Sequence, residues 1–376
     1  MKVVIAIDSF KGSVSSLEAG EAAKEAVLSV YNDADVIVMP LADGGEGTVE
    51  TLVSGMNGEM VNAEVTGPIG EKVVCQYGIL SDAAIIEMAG AAGLPITPVD
   101  KRNPLNTTTY GVGEVIIDAI EKGCKNFIVG IGGSATNDAG VGMLQALGFE
   151  FLDKDGKTVG IGGKYVADIA NIKTDKVYSK LKECNFRIAC DVNNPLCGET
   201  GASHIFGPQK GASEADVKFL DEALRNFAKV TKDKLGNDCS EYPGSGAAGG
   251  MGFAFMAYLN GELKPGVEII LDEIGIDSAL QNIDFVITGE GRIDSQSAMG
   301  KAPVGVAKRA KKQGAKVIGI AGCVSDDACL CNNAGIDSIF AVADKAMSLE
   351  EAMDRETTQK NIKKTVIQIF NLIKCL

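Results

Sequence analysis

Short apolar runs recur along the chain, and each is closely followed by Gly, Asp or Ser and then by a helical pattern. Near-continuous apolar runs of this kind are typical of parallel strands that helices cover on both faces. The alternation predicts an open α/β sheet, in which ligands bind at the carboxyl ends of the strands. The predicted strands cover residues 3–7, 36–41, 127–131, 186–190, 285–287 and 317–320.

Capping patterns mark the starts of helices between these strands. Ser15 with Glu18, and Ser213 with Asp216, each place a hydroxyl three residues before a carboxylate and ahead of apolar residues at helical spacing. Thr109 is expected to cap a third helix that follows it. Helices in these places complete the alternation of an α/β fold.

The length of the chain predicts two domains, because 376 residues exceed one ordinary hydrophobic core. The first and last hundred residues both show the α/β pattern. We therefore expect a two-domain α/β protein. A discontinuous Rossmann- or flavodoxin-like domain with a parallel sheet would contain residues 1–88 and 284–376. A second α/β domain, residues 89–283, would be inserted into it, and the active site is expected in the cleft between the two.

The charge balance restricts the class of partner. The chain has 36 Lys and Arg residues against 50 Asp and Glu residues, which gives a net charge of −14. Such a field repels phosphate backbones and anionic lipids, so neither nucleic acid nor a membrane is an expected partner. An anionic substrate would need a locally basic pocket.

Cysteine and histidine usage argues against a zinc site. The ten cysteines are scattered, and His204 is the single histidine. We expect reduced thiols in a cytoplasmic protein, and a binding or structural histidine. Because the chain has a single histidine, general-base chemistry would fall to a carboxylate.

The apolar stretch at the start is too short for a signal peptide, and no run approaches the ~18 apolar residues of a membrane helix.

A glycine-rich segment, residues 130–140, follows a predicted strand and is expected to open a helix. Glycines let the backbone approach a ligand, and side-chain and helix N-terminal donors would face phosphate oxygens. A turn that only packs helix on strand is the alternative. The candidate nucleotide-binding residues are Gly132, Gly133, Ser134, Thr136 and Asn137. A second glycine-rich segment, residues 243–252, is equally able to contact a ligand or to pack closely.

The same segment supports a second hypothesis. Gly130, Gly132 and Ala135 match the G-x-G-x-x-A pattern of dinucleotide-binding proteins, with Asp153 near the place of a ribose-binding acid. This match would indicate an NAD(P)-dependent oxidoreductase acting on a small hydroxy acid. A non-catalytic nucleotide sensor would use the glycine-rich loops as well.

Acidic and basic side chains gather at the ends of other predicted strands. Glu290 and Arg292 lie in a segment that is not a Walker A motif, because Ser295 stands where its first glycine is needed. Such charges suit a site that stabilises transferring phosphoryl oxygens, although a solvated loop is the alternative. Charged and polar residues also lie just after the first predicted strand, and these are Asp8, Ser9 and Lys11.

Two further carboxylate segments are candidates. Asp43 and Glu46 could hold magnesium, although Asp43 could instead cap a helix. Asp191, at the end of a buried strand, could accept the proton of a substrate hydroxyl, and Asn193 lies beside it. An Asx-turn before Pro195 is the alternative for Asp191.

Taken together, these segments resemble the glycerate kinases of the class common in bacteria. The matching stretches occur in order over nearly the whole chain: residues 8–12, 40–48, 66–68, 87–94, 103–114, 130–148, 190–198, 243–253 and 288–301. The resemblance implies phosphorylation of D-glycerate by ATP with magnesium, and it favours 2-phosphoglycerate as product. It also implies a two-domain α/β architecture. We expect a monomer or homodimer.

Within that activity, the chemistry of the residues suggests roles. Asp191 would act as general base, while Lys11 and Arg292 would offset charge on the glycerate carboxylate and on the transferred group. ATP would lie against residues 132–137. Magnesium would lie near Asp43 or Glu46. The remaining substrate-binding candidates are Asp8, Ser9, Asn193 and Glu290.

Overall fold

The computed structural model describes Met1–Leu376, and the chain forms two compact units. The terminal unit consists of Met1–Asn57 and Val267–Leu376. The inserted unit consists of Gly58–Gly266. The chain therefore leaves the first unit, builds the second, and returns.

The strands are numbered in chain order. They are β1 (Lys2–Ile7), β2 (Asp35–Pro40), β3 (Glu59–Thr66), β4 (Lys72–Leu80), β5 (Ala83–Glu87), β6 (Asn126–Gly130), β7 (Glu150–Leu152), β8 (Asn171–Lys173), β9 (Asn185–Ala189), β10 (Glu262–Lys264), β11 (Phe285–Ile293), β12 (Lys316–Val324) and β13 (Ser338–Ala341).

The α-helices follow the same order. They are α1 (Ser16–Val30), α2 (Thr48–Gly55), α3 (Ala89–Ala92), α4 (Tyr110–Glu121), α5 (Val141–Ala146), α6 (Ala202–Phe206), α7 (Glu214–Leu235), α8 (Ala247–Leu259), α9 (Gly266–Glu273), α10 (Ile276–Ala279), α11 (Ser295–Ala298), α12 (Ala302–Lys312), α13 (Leu330–Asn333), α14 (Leu349–Met353) and α15 (Arg355–Cys375). Short 3₁₀ helices cover Val99–Lys101, Gly163–Asp168, Ser179–Glu183, Pro208–Lys210 and Asp326–Cys329.

The terminal unit has a five-stranded sheet in the order β13-β12-β11-β1-β2, and every pair in it is parallel. Counted along this unit alone, the order is 2-1-3-4-5, as in flavodoxin-like folds. The order reverses between β1 and β11, which pair through Ile5 and Ile287. Ligands of open α/β sheets bind at such a switch point, beyond the carboxyl ends of the strands.

The core of the terminal unit forms between this sheet and two long helices. Val3, Ile5 and Ile7 of β1 are fully buried, and they belong to one apolar cluster with residues of α1 and α15. The predicted capping box of Ser15 and Glu18 is confirmed at the start of α1. Burial of this kind fixes β1, and hence the position of the residues that follow it.

The inserted unit has a mixed sheet of six strands in the order β10-β9-β6-β5-β4-β3. The pairs β3–β4 and β4–β5 are antiparallel, while β5, β6, β9 and β10 run parallel. A separate two-stranded sheet contains β7 and β8. Phe127 and Phe186 stack at 4.8 Å in a large apolar cluster that also contains residues of α4, α5, α7 and α8.

The unit boundaries differ from the predicted 1–88, 89–283 and 284–376. Ile85 of β5 pairs with Ile128 of β6, so the hairpin strands β3–β5 join the inserted unit. At the second boundary, Val267 and Leu271 lie against Gly305 of α12, which brings residues 267–283 into the terminal unit. The sequence of β3–β5 carries no signal of which sheet these strands will join, so it does not by itself fix the boundary between the units.

Helix starts agree with the sequence in part. The capping box of Ser213 and Asp216 is confirmed at the start of α7. Thr109 stands at the N-cap position of α4 but makes no side-chain cap bond, so this prediction is wrong. Its hydroxyl donates to Asp138 Oδ2 at 2.9 Å and accepts from the backbone N–H of Met143 at 2.9 Å. A tertiary network has replaced the local cap.

Candidate functional site

Asp8 lies at the switch point of the terminal unit. It follows β1 directly, and its backbone N–H donates to the carbonyl of Gly289 in β11 at 2.8 Å. Its side chain is only 6% exposed, and its Oδ1 accepts from the backbone N–H of Ser9 at 2.7 Å. The ends of two parallel neighbouring strands thus place a buried carboxyl where open α/β sheets bind ligands.

The surroundings of Asp8 favour its protonated form. Burial raises the pKa of this carboxyl to about 7, and the neighbouring charges of Asp43 and Glu290 add to the increase. The bond from Ser9 and the charge of Lys11 oppose it without cancelling it. A carboxyl with a pKa near neutrality is able to accept a proton at working pH and to release it afterwards.

Glu290 is a second carboxyl at the same edge of the sheet. Burial raises its pKa, while a hydrogen bond from Ser297 and the charge of Lys301 oppose that increase. Ser297 Oγ donates to Glu290 Oε1 at 2.5 Å. The Ser297 side chain is itself held by the cap of α11, where Asp294 accepts from backbone N–H groups. Glu290 is therefore fixed in place.

Two cations stand at this edge in contact with solvent. Lys11 Nζ lies 4.0 Å from Asp43 Oδ2, and Arg292 Nε lies 3.3 Å from Asp294 Oδ2. Both cationic side chains are about two-thirds exposed, at 68% and 65%. Exposed ion pairs of this kind hold their partners weakly, so both cations are available to an anionic ligand.

A cavity of about 520 Å³ in the terminal unit is lined by residues of the segment that follows Asp8 along the chain. Ser9, Lys11, Ser13 and Glu46 are among its lining residues. The structure therefore brings Glu46 together with Ser9 and Lys11, which the sequence singled out in a different segment. The size lies within the usual range of small-molecule sites.

The predicted magnesium pair does not fit a resident metal ion. Asp43 Oδ1 accepts from the backbone N–H of Gly45 at 2.9 Å, and its Oδ2 faces Lys11. Glu46 is exposed, and no group of three or more His, Cys, Asp or Glu side chains is placed to hold a metal ion. Helix α2 begins only at Thr48, so Asp43 stabilises a turn rather than the helix start.

The glycine-rich segment of the inserted unit is a loop between β6 and α5. Gly132 and Gly133 are exposed, and Gly133 has a positive φ of 71°. The next residues, Ser134, Thr136 and Asn137, are buried. Helix α5 begins at Val141 with Gly140 at its N-cap position, so the segment leads into a helix as predicted, but from its last residue and not from the glycine turn. Only the backbone of the two glycines is presented to a ligand.

Lys210 holds this loop from the inside, and the sequence did not indicate it. It is 2% exposed, and its Nζ donates to Ser134 Oγ and to the carbonyl of Thr136, both at 2.7 Å. Burial lowers its pKa to about 7, and the charge of Asp138 opposes that decrease. A single lysine in a Pro-Gln-Lys-Gly segment has no motif that would distinguish it from a solvated lysine.

Two further buried polar groups complete the loop. Asn137 Nδ2 donates to Ser203 Oγ at 2.8 Å, which leaves the Asn137 Oδ1 without a partner. Asp138 is fully buried and accepts bonds from Thr109, Gly140 and Gly142, while burial raises its pKa. These bonds organise the loop from within.

The second glycine-rich segment packs against the first. Ala139 N–H donates to the carbonyl of Gly249 at 2.9 Å. A Cβ at Gly249, which has a φ of 69°, would lie 2.1 Å from the carbonyl oxygen of Thr136. Close packing therefore accounts for this glycine.

Asp191 and Asn193 lie after β9 in the inserted unit, and both are exposed. Asp191 Oδ1 accepts from the backbone N–H of Gly266 at 3.0 Å. This bond joins distant parts of the chain, whereas the predicted Asx-turn would be local. His204 is half-buried in α6.

The dinucleotide-binding interpretation fails on the geometry of its own motif. Gly130, Gly132 and Ala135 do not themselves open a helix, as that fingerprint needs, because α5 begins only at Val141. Asp153 Oδ1 accepts from the backbone N–H groups of Asp155 and Lys157, so it stabilises a turn. The oxidoreductase hypothesis is not supported.

Comparison with known proteins gives a consistent result. The model of the glycerate kinase family matches residues 3–374. The chain is 49% identical to the Escherichia coli protein named glycerate 2-kinase, over 94% of this chain and 93% of that one. It is 48% identical to glycerate kinase of Bacillus subtilis, again over 94% and 93%.

A solved structure agrees with the sequence comparisons. A crystal structure described as a glycerate kinase 2 from Salmonella typhimurium LT2 matches with a TM-score of 0.92 and 43% identity. The match covers 100% of this chain and 98% of that one. None of the helices combines the length and the apolar character needed to cross a bilayer.

Proposed function

Because this chain belongs to the glycerate kinase family, and is therefore a phosphotransferase with an alcohol acceptor, we propose that it phosphorylates D-glycerate with ATP and forms 2-phosphoglycerate. The name of the Escherichia coli relative, glycerate 2-kinase, supports the choice of product. The observation that carries the mechanism is the buried Asp8 carboxyl at the switch point, with its pKa raised to about 7.

Asp8 is the proton acceptor in this proposal. The hydroxyl on C2 of glycerate attacks the γ-phosphorus of ATP, and its proton passes to the Asp8 carboxylate as the new P–O bond forms. The bond between the γ-phosphorus and the bridging oxygen breaks, and ADP leaves with that electron pair. Asp191, the base that the sequence predicts, is the second candidate, since it also follows a parallel strand.

The exposed cations have the charge that this step requires. Lys11 and Arg292 would neutralise the carboxylate of glycerate and the charge on the transferring oxygens, as positively charged groups do in other phosphoryl transfers. Ser9 and Ser13 share a cavity with Lys11 and would donate to glycerate oxygens. Glu290 and Asn193 are retained as further substrate-binding candidates.

The loop at Gly132 and Gly133 would contact phosphate oxygens through backbone N–H groups. This role is supported by the exposure of the two glycines and by the internal anchoring of the residues after them. The sequence predicts side-chain contacts from Ser134, Thr136 and Asn137 as well. Their burial makes a supporting role the better proposal.

Magnesium enters this proposal with the nucleotide, as part of the substrate Mg-ATP. In phosphoryl transfer it neutralises charge on the β- and γ-phosphates. The chain's own residues, Asp43 and Glu46, do not form a closed ligand set, so no step depends on them.

The direct test is a coupled assay of ADP release with D-glycerate and Mg-ATP, followed by phosphorus NMR of the product. We expect ADP release that depends on D-glycerate and a product resonance that matches authentic 2-phosphoglycerate. Omission of glycerate is the control for simple ATP hydrolysis. A resonance of 3-phosphoglycerate would overturn the choice of hydroxyl, and folded protein without turnover would overturn the activity.

A further inference from the structure

A second, smaller cavity lies in the terminal unit at the carboxyl ends of its strands. Its volume is about 160 Å³. Gly291 of β11, Gly322 of β12 and Val342, which follows β13, contribute to its walls. Pockets that hold drug-sized ligands have volumes of about 300–1,000 Å³. This cavity therefore suits one ring system rather than a whole nucleotide.

The walls of this cavity are mostly apolar. Two glycines on neighbouring strands present peptide groups without side chains, and Phe10 packs beside Gly322. Leu349 and Met353 form part of the wall although they are exposed, at 75% and 38%. Exposed large apolar side chains around a concave surface are typical of a ligand site. Glycerate, a small anion, would gain little from such walls.

The lining also contains the polar side chains of Lys11, Ser13, Thr358 and Asn361. Asn361 of α15 is 4% exposed, and its amide makes no hydrogen bond to another residue of the chain. The neighbouring hydroxyl of Thr358 is different, because it bonds to Ser13 Oγ at 2.7 Å and to the carbonyl of Ala352 at 3.0 Å. The Asn361 amide therefore faces the cavity with its donor and acceptor free to bond to a ligand that offers the complementary pair.

We propose that this cavity binds the adenine ring of the nucleotide, with the Asn361 amide donating to one ring nitrogen and accepting from the 6-amino group. This inference rests on the proposed function, because it places part of the ATP that the reaction consumes. An asparagine amide matches the N6–H and N7 edge of adenine in this way, whereas guanine presents two acceptors, N7 and O6, at that edge and has no donor for the amide oxygen.

The position of Lys11 supports a nucleotide rather than another ring compound. Lys11 lines both this cavity and the 520 Å³ cavity that also contains Ser9 and Glu46. A cation between a ring pocket and a polar pocket is where the phosphates of a nucleotide would be neutralised. The phosphates of the nucleotide would then lie between the adenine ring and the Asp8 carboxyl.

The first experiment needs neither a variant nor turnover. Cys323 lines the cavity and is exposed, whereas the equally exposed Cys329 and Cys375 do not line it. Iodoacetamide labelling of the wild-type protein, followed by peptide mass spectrometry, reports each thiol separately. We expect ADP to slow labelling of Cys323 alone, and purine riboside diphosphate, which lacks the 6-amino group, to require about 10-fold higher concentration. Equal labelling with and without ADP, or equal slowing at all three thiols, would overturn the proposal.

The second experiment uses a variant. Asn361→Leu keeps the size of the side chain but removes both polar atoms. We expect KM for ATP to rise by between about 5-fold and about 150-fold, with kcat and KM for glycerate unchanged. The preference for ATP over purine riboside triphosphate should disappear. Asn371→Leu makes the same change at an exposed position of α15 and should behave as wild type.

The two proposals fail in distinguishable ways. Protection of Cys323 by ADP without glycerate-dependent turnover would support the adenine site and would overturn the proposed function. Normal turnover with an unchanged KM for ATP in a folded Asn361→Leu variant would overturn the adenine site alone. If that variant does not fold, the wild-type labelling result decides.

Discussion

Lys210 donates from Nζ to Ser134 Oγ at 2.7 Å, so a buried amine fixes the loop that presents Gly132 and Gly133. The same amine donates to the carbonyl of Thr136. No carboxylate forms an ion pair with it, and burial lowers its pKa to about 7. A side chain from a distant part of the inserted unit therefore contributes two of the bonds that hold this loop.

The first prediction concerns this anchor. Lys210→Met removes both bonds and leaves a buried carbonyl without its donor, which typically costs about 1–3 kcal/mol. We expect kcat/KM for ATP to fall by about 10-fold or more because the loop is no longer held. Steady-state kinetics measure this, with Lys218→Met, an exposed lysine of α7, as control. Equal behaviour of both variants would show that the anchor does not matter.

Lys210 also gives a prediction for stability against pH. Its pKa is lowered from 10.5 to about 7 in the folded protein. Between these values the unfolded chain binds a proton that the folded protein does not, so the free energy of unfolding rises with pH in this window. We expect the free energy of unfolding of the wild type to increase relative to that of Lys210→Met as the pH increases from 7 to 10, as measured by chemical denaturation. A constant difference across this range would contradict the buried position of the amine.

Much of the terminal unit could be predicted from its sequence. Residues 3–7 and 317–320 are apolar and nearly uninterrupted, which is the signature of central parallel strands, and they lie in β1 and β12. Ser15 and Glu18 act locally, so their capping box is readable from spacing alone. The sheet that β3–β5 join could not be predicted, because the partner of β5 is β6, which is remote in sequence.

The site was predictable only as far as charge and position at strand ends. Asp8, Lys11 and Glu290 were found because each follows or ends an apolar run. Burial, which raises the pKa of Asp8, depends on packing across two strands that are far apart in sequence. Lys210 and Asn361 were missed because their significance lies in burial, and a single lysine or asparagine in a helix carries no motif.

Asp8 gives a stability prediction with the opposite sign. Its pKa is raised from 3.8 to about 7, so between these values the folded protein binds a proton that the unfolded chain does not. The free energy of unfolding therefore falls as pH rises through this window. The whole pKa shift corresponds to a decrease on the order of 4 kcal/mol. We expect Asp8→Asn to be more stable than wild type at pH 8, and this advantage to vanish near pH 4. Thermal denaturation at both values measures the difference.

The carboxylates beside Asp8 should tune its titration. Asp43 and Glu290 both raise the pKa of Asp8, and Asp43 has the larger effect. If Asp8 is the base, kcat/KM rises as pH increases through its pKa. We expect Asp43→Asn to move this rise to lower pH, and Glu290→Gln to move it in the same direction by less. A rise that stays in place in both variants would show that another group titrates.

Glu46 tests whether the chain itself holds magnesium. Its side chain is exposed and belongs to no metal-binding group. We expect Glu46→Gln to leave the magnesium concentration for half-maximal rate unchanged at fixed free ATP, because the ion arrives with the nucleotide. Titration of magnesium in the coupled assay measures this value. An increase of tenfold or more would indicate that Glu46 is a ligand.

The most direct test of Asp8 as the base compares Asp8→Asn with Asp191→Asn under saturating D-glycerate and Mg-ATP. Loss of a positioned general base lowers the rate by about 10²–10⁴-fold. We predict a loss of this size in kcat for Asp8→Asn, in protein that remains folded, and a much smaller change for Asp191→Asn. Near wild-type turnover of Asp8→Asn, together with a large loss in Asp191→Asn, would contradict the account and assign the base to Asp191.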